Sequence, residues 1–185
     1  MTRAQGYLRA ALHRAVTRFR RSEAGTATVE FVLMIWIFLA IFMASFESGL
    51  LMTRFVMMER ALDMTVRDLR LGNIVDPDHE SVRAIICSRT VLFDDCNDIM
   101  MLELQPVSTT TWSPLNESVE CVNRASEINP VDQFTEGTGD EMMLVRACAV
   151  FDPIFPGTGI GLRLPRVNGG GYAVVATSAF VNEPT

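Results

Sequence analysis

The chain has 185 residues, 49% of them hydrophobic, and a formal net charge of −6 at pH 7, which allows one ordinary domain plus a membrane anchor. No lysine occurs, six arginines precede Ser22, and from Asn73 onward 16 acids and 6 arginines give a net charge of −10. The basic head lies directly before an apolar run, which is typical of a membrane orientation signal and argues against nucleic-acid binding.

The apolar run predicts one transmembrane helix over residues 26–46. Residues 31–46 carry no charge, and in the 21 residues that begin at Thr26 the only charge is Glu30. At 1.5 Å per residue this stretch spans about 31 Å, close to the roughly 30 Å hydrocarbon core of a bilayer. The positive-inside rule places residues 1–25 in the cytoplasm and the chain beyond the span outside it.

Glu30 is the feature of this span that most needs an explanation. A carboxylate within a membrane costs about 2.5–3.5 kcal/mol at the helix centre and less near its end, so it is a candidate functional residue. The plainer interpretation is an interfacial acid that reaches the lipid headgroups. An ordinary secretory signal fits less well, because no small-x-small cleavage site follows the run.

Helical periodicity continues over residues 47–72 as an amphipathic extension. Apolar residues recur every three or four positions, at Leu51, Phe55, Met58, Leu62, Val66 and Leu69. Charged side chains lie between them, and Gly72 is a suitable stop. The triplet Glu47, Ser48 and Gly49 predicts a flexible point near the outer membrane interface.

Residues 73–185 predict a small exported α+β domain. A short helix is expected over 80–89, capped by Asp78, and strands over 100–107, 142–151 and 172–181. Two long loops cover 108–140 and 155–171. We expect a helix with one apolar stripe to pack on a short antiparallel sheet with one apolar face.

All four cysteines follow the span, which predicts two disulfides in an oxidising compartment. Three pairings are allowed; short separation favours Cys87 with Cys96, which leaves Cys121 with Cys148. A zinc site is disfavoured, because no Cys-x-x-Cys pair occurs and the two histidines lie on opposite sides of the span.

The sequence offers little for catalysis or ligand binding. No histidine lies near a candidate nucleophile, and no Gly-x-Ser-x-Gly elbow occurs. The glycines at 157, 159 and 161 lie in a loop with no helix after them, and the acids at 94, 95 and 98 lack EF-hand spacing. We therefore predict a protein that is not an enzyme, with no catalytic residue, no metal, no cofactor and no small-molecule substrate.

Three features occur in fixed order at the start of the chain. Residues 18–21 read Arg-Phe-Arg-Arg, residues 23–31 read Glu-Ala-Gly-Thr-Ala-Thr-Val-Glu-Phe, and the apolar span follows. In this order they resemble the TadE-like family, the minor pseudopilins of the Tad (Flp-type) pilus assembly system. Residues 172–180 are similar, more loosely, to the ends of such chains. The long exported domain favours a minor component over a major pilin, and the resemblance leaves the TadE-like and TadF-like subgroups open.

The resemblance implies a site and a set of partners. A prepilin peptidase is expected to cut after Gly25, so that Thr26 becomes the first mature residue, Glu30 the fifth and Phe31 the aromatic that follows it. Glu30 and Phe31 would act in assembly with other Tad pilus subunits. The protein would lie in the bacterial inner membrane with its C-terminal domain periplasmic or extracellular. The alternative is an uncut, single-pass periplasmic binding or structural protein.

Overall fold

The computed structural model describes residues 17, 25–111, 119, 121–124, 134–157, 159–167 and 170–183. The basic leader predicted over 1–25 therefore lies outside the described residues, apart from Thr17 and Gly25. The chain divides into two compact units, Met1–Phe42 and Met43–Thr185. The elements in chain order are α1 (Thr26–Arg70), α2 (His79–Ser88), α3 (Cys96–Ile99), β1 (Met100–Pro106), β2 (Met142–Phe151) and β3 (Tyr172–Val181).

The long apolar N-terminal helix is confirmed, and α1 ends where the glycine stop was predicted. Gly72 has a φ of +66°, a left-handed conformation that glycine adopts without steric cost. The amide of Asn73 donates to the carbonyl of Asp68, and that of Gly72 to Leu69. These two bonds form a Schellman motif, which satisfies carbonyls that the helix end would otherwise leave free.

The second half of α1 packs on the core of the C-terminal unit, Met43–Thr185. Met58 and Leu62 are almost fully buried, while Leu51, Phe55 and Leu69 are partly buried against the same cluster. The charged side chains between them are exposed, at Glu59, Arg60, Asp63 and Arg67. The spacing of the apolar residues explains this, since positions three and four apart share one helix face.

Helix α2 begins one residue before the predicted start because its cap is complete. The Asp78 side chain accepts from the amide of Ser81, and the Ser81 side chain accepts from the amide of Asp78. This reciprocal pair satisfies two backbone donors at the helix start. Val82 and Ile86 are fully buried, so α2 joins α1 in covering the sheet's core face.

The three strands form one antiparallel sheet in the order β1-β2-β3, as the strand predictions required. β1 and β3 both pair with β2, whose full length is matched by β3 from Met142↔Val181 to Phe151↔Tyr172. Alternate side chains face the helices and form the core, including Leu102 and Leu104 of β1, Val145 and Ala147 of β2, and Val174 and Ala176 of β3.

The second face of the sheet is also covered near β2. Cys148 and Val150 are fully buried there, and Arg146 Nη2 lies 2.5 Å from Glu103 Oε2 in a largely buried ion pair. Arg124, in the loop that follows β1, donates a hydrogen bond of 2.6 Å to the Val150 carbonyl. The prediction of a sheet with one apolar face therefore holds for only part of β2, because most of this strand is buried on both faces.

Both disulfides form, and their pairing is the one that short separation favoured. Cys87–Cys96 joins α2 to α3, and Cys121–Cys148 joins the loop after β1 to β2. Each closes a short segment of chain, and such a crosslink stabilises a small domain by about 2–4 kcal/mol. Helix α3 was not predicted; its four residues follow directly on the left-handed residue Asp95.

Arg89, just after α2, ties that helix to α1. Its Nη2 lies 2.6 Å from Asp68 Oδ2, and its Nη1 donates to Thr65 Oγ1 at 3.0 Å. The Arg89 guanidinium, followed by the Asn73 amide, holds the pKa of the Asp68 carboxyl below its ordinary value of 3.8. A lowered folded-state pKa stabilises the fold above the unfolded-state pKa, and that contribution is lost as pH falls through the folded-state value.

The substitution Asp68→Asn is therefore expected to lower the urea midpoint of the detergent-solubilised protein at neutral pH. The difference from the unmodified protein should shrink as pH falls from the ordinary value of 3.8 through the lower folded-state pKa of Asp68, because the protonated carboxyl then carries no charge, like the asparagine amide. Asp63→Asn, at an exposed position on the same helix, is the control. A difference for Asp68→Asn that stays constant down to acid pH would rule out this ion pair as its cause.

Candidate functional site

The predicted junction residues lie together at the start of α1. Gly25 directly precedes the helix, Thr26 is its first residue, and both are exposed. Glu30 lies four residues after Thr26 and therefore on the same helix face. Glu30 and Phe31 are exposed as well. All four residues are thus accessible within the first two turns of α1 and the residue before it.

The position of Glu30 changes its expected electrostatics. The first turn of α1 contains no acid, so Glu30 begins the second turn. The helix dipole acts mainly within the first turn and contributes little this far along. The dipole of α1 therefore does little to stabilise this carboxylate.

The apolar segment that follows has no partner in the described part of the chain. Every residue from 25 to 42 is exposed, and Trp36 keeps 70% of its surface accessible. An 18-residue window of α1 is apolar enough to cross a membrane, and none of that window is buried. Exposed apolar surface of this extent marks a contact with lipid or with other proteins.

The apolar run ends at a buried acid, Glu47. Its side chain is 1% exposed and accepts hydrogen bonds from the amides of Ile154 and Phe155, at 3.2 and 3.0 Å. The ring of Phe46 meets that of Phe155 edge-on, with centroids 6.2 Å apart. The triplet interpreted as a flexible point is instead continuous helix, and its acid is fixed to the loop between β2 and β3.

A second polar contact lies two turns further along α1. Arg54 Nη1 donates to the hydroxyl of Tyr172 at 2.6 Å, and the guanidinium stacks over the Phe151 ring, 4.4 Å from its centroid. Burial raises the pKa of Tyr172 above its ordinary value of 10.0, although Arg54 opposes the shift. The contact joins α1 to the end of β2 and the start of β3.

The structure separates the predicted site residues into two groups. Gly25, Thr26, Glu30 and Phe31 share the start of α1, whereas all four cysteines belong to the C-terminal unit and hold its elements together. Among the described residues, no three His, Cys, Asp or Glu side chains are grouped so that they could hold a metal ion.

The sequence interpretation missed the structural contacts that Glu47 and Arg54 make with the loop and the sheet. A signal was present, because Glu47 precedes Leu51 by four residues and Arg54 follows Leu51 by three, so both extend the apolar stripe. A charge on a buried stripe calls for a partner.

Comparison with models of known protein families, with characterised proteins and with solved structures finds no match.

Glu47→Ala is expected to release the loop at residues 153–157. Two amides lose their acceptor, and a lost bond to a buried group costs about 1–3 kcal/mol, which corresponds to roughly 5- to 150-fold faster exchange of those amides. Hydrogen exchange of the full chain, read at the Ile154 and Phe155 amides, measures this. Glu59→Ala, an exposed acid on the same helix, is the matched control, and equal exchange in the two variants would contradict the assigned role.

Proposed function

We propose that this chain is a TadE-like minor pseudopilin, cut after Gly25 by a prepilin peptidase and assembled through its N-terminal helix into or beneath a Tad-type pilus. The observation that carries the proposal is Glu30, an exposed carboxylate that opens an exposed apolar helix long enough to cross a membrane. The order of basic head, glycine and Glu30 supports the same function.

The energetics of Glu30 favour a partner that cleavage creates. Removal of the leader leaves a positive amino group on Thr26, four residues before Glu30. Two unit charges about 4 Å apart attract by about 4 kcal/mol at an effective dielectric of 20. This is comparable to the cost of about 2.5–3.5 kcal/mol for one charge at mid-membrane, and the cost is smaller near the helix end where Glu30 lies. The helix dipole contributes only about 0.3–1 kcal/mol in the first turn.

The natural partner of Glu30 is the Thr26 amine of a neighbouring subunit. The apolar half of α1 is exposed on all sides, so similar helices can pack against it within the bilayer. Packed membrane helices bring the amino terminus of one subunit near the glutamate of the next. The charge pair then sets the register between subunits, as buried polar pairs do in other helix assemblies.

The remaining parts have matching tasks in this proposal. Six arginines before the span orient the chain in the bacterial inner membrane with its head in the cytoplasm. The second half of α1 serves as the amphipathic stem, because its apolar stripe packs on the exported sheet while its charged side faces outward. The acidic, disulfide-bonded domain then meets other pilus proteins in an oxidising compartment.

The test is Glu30→Gln in the native cells, with Glu59→Gln as a matched control on the same helix. Glu30→Gln is expected to insert in the membrane at normal abundance but to lose pilus assembly and crosslinks to other subunits. Glu30→Asp, which keeps the charge, should retain part of the activity. Normal piliation with Glu30→Gln would contradict the proposal and favour a membrane anchor with no assembly role.

A further inference from the structure

The loop between β2 and β3 lies against α1 where the apolar run ends. We call residues 153–157 and 159–167 the β2–β3 loop. Two amides of the loop donate hydrogen bonds to Glu47. Gly159 also packs closely on α1, because an added Cβ there would lie 3.3 Å from the Cβ of Ala44. These contacts all lie within the C-terminal unit, Met43–Thr185. Because the uncharged run ends at Phe46, the loop is level with the outer end of that run.

The β2–β3 loop holds its shape through close backbone packing. An added Cβ on Gly161 would lie 2.4 Å from the carbonyl oxygen of Phe155, so only glycine fits there. The amides of Arg163 and Leu164 both donate to the carbonyl of Ile160. Side chains on this turn are therefore presented by an ordered backbone.

The composition of the loop differs from that of the domain around it. Leu162 is 62% exposed and Ile154 48% exposed, and Arg163 and Arg166 are exposed as well. The loop contains no acid, although the chain from Asn73 onward carries 16 acids and 6 arginines. Asp152, just before the loop, is paired with Arg124 at 2.7 Å. The loop is thus a basic and apolar patch on an acidic domain.

We infer that the β2–β3 loop docks on the outer surface of an anionic membrane, with Leu162 and Ile154 entering the interface and Arg163 and Arg166 contacting lipid phosphates. This inference rests on the proposed function in one respect, namely that α1 crosses a membrane. Apolar side chains flanked by arginines favour binding at the boundary of headgroups and acyl chains. An acidic protein partner is the competing occupant, but it would not explain why the patch lies level with the end of the span.

The test uses the full chain in nanodiscs, with an environment-sensitive fluorophore at Leu162→Cys. All four native cysteines are disulfide-bonded, so the introduced thiol is labelled alone. Val75→Cys is the control, because it is 84% exposed and α1 carries the chain about 35 Å from Glu47 to Arg70 before that position. Brominated lipids report contact with the bilayer through quenching.

We expect quenching at position 162 and none at position 75, stronger in phosphatidylcholine–phosphatidylglycerol than in phosphatidylcholine alone. Loss of both arginines, by Arg163→Ser with Arg166→Ser, should reduce the docked-to-undocked ratio roughly 10- to 30-fold in the anionic discs. The pair Arg60→Ser with Arg67→Ser, exposed on α1, is the charge-matched control and should change nothing.

Three results would overturn the inference. The first is equal quenching at positions 162 and 75, and the second is quenching at position 162 that does not increase with anionic lipid. The third is a spectral shift at position 162 that depends on protein concentration, which would assign the loop to a second copy of this chain. Quenching of Trp36, measured in a Trp112→Phe background, tests the span separately. Unquenched Trp36 contradicts the membrane anchor itself, whereas quenched Trp36 with an unquenched loop contradicts only the docking.

Discussion

The buried carboxylate of Glu47 marks a change in what surrounds α1. Before it, residues 25–42 are exposed on every side; after it, every third or fourth residue enters the core. One helix thus carries two sequence patterns, one suited to lipid and one to a sheet. Glu47 accepts hydrogen bonds from two backbone amides. A buried carboxylate needs such partners, so these bonds fix the point on α1 where the second pattern begins.

The C-terminal unit, Met43–Thr185, is organised around β2, which is paired along both edges and covered on both faces. β1 and β3 pair with its two edges, α1 and α2 cover one face, and Cys121 and Arg124 contact the other. The core is small, built from three strands, α2 and half of α1, so the two disulfides supply part of the stability that a larger core would give. Arg54 contacts Phe151 at the end of β2 and Tyr172 at the start of β3, and Glu47 contacts the loop between these two strands. Both side chains thus bind α1 to this end of the sheet.

Local patterns in the sequence predicted most of the regular elements. The three strands agree with their predicted ranges to within one residue, since alternation and flanking turn residues are local signals. The same holds for α2, because Asp78 and Ser81 define its start within four residues. Helix α3 escaped prediction, as four residues carry no periodicity.

Contacts between distant residues could not be read in this way. The partners of Glu47 lie more than 100 residues along the chain, and Tyr172 lies 118 residues from Arg54, so the sequence showed two charges on a stripe but not their acceptors and donors. The junction at Gly25, Thr26 and Glu30 is a local sequence pattern, and its role stays a prediction. Whether Glu30 meets an amine depends on cleavage and on neighbouring subunits, and a single chain contains neither.

We propose that Glu30 acquires a positive partner when the leader is removed. The most direct measurement is the N-terminal residue of the protein isolated from its native membranes, by intact mass or Edman degradation. Thr26 at the N-terminus is the expected result. A chain that retains Met1 would leave Glu30 without a new amine and would contradict the pseudopilin function.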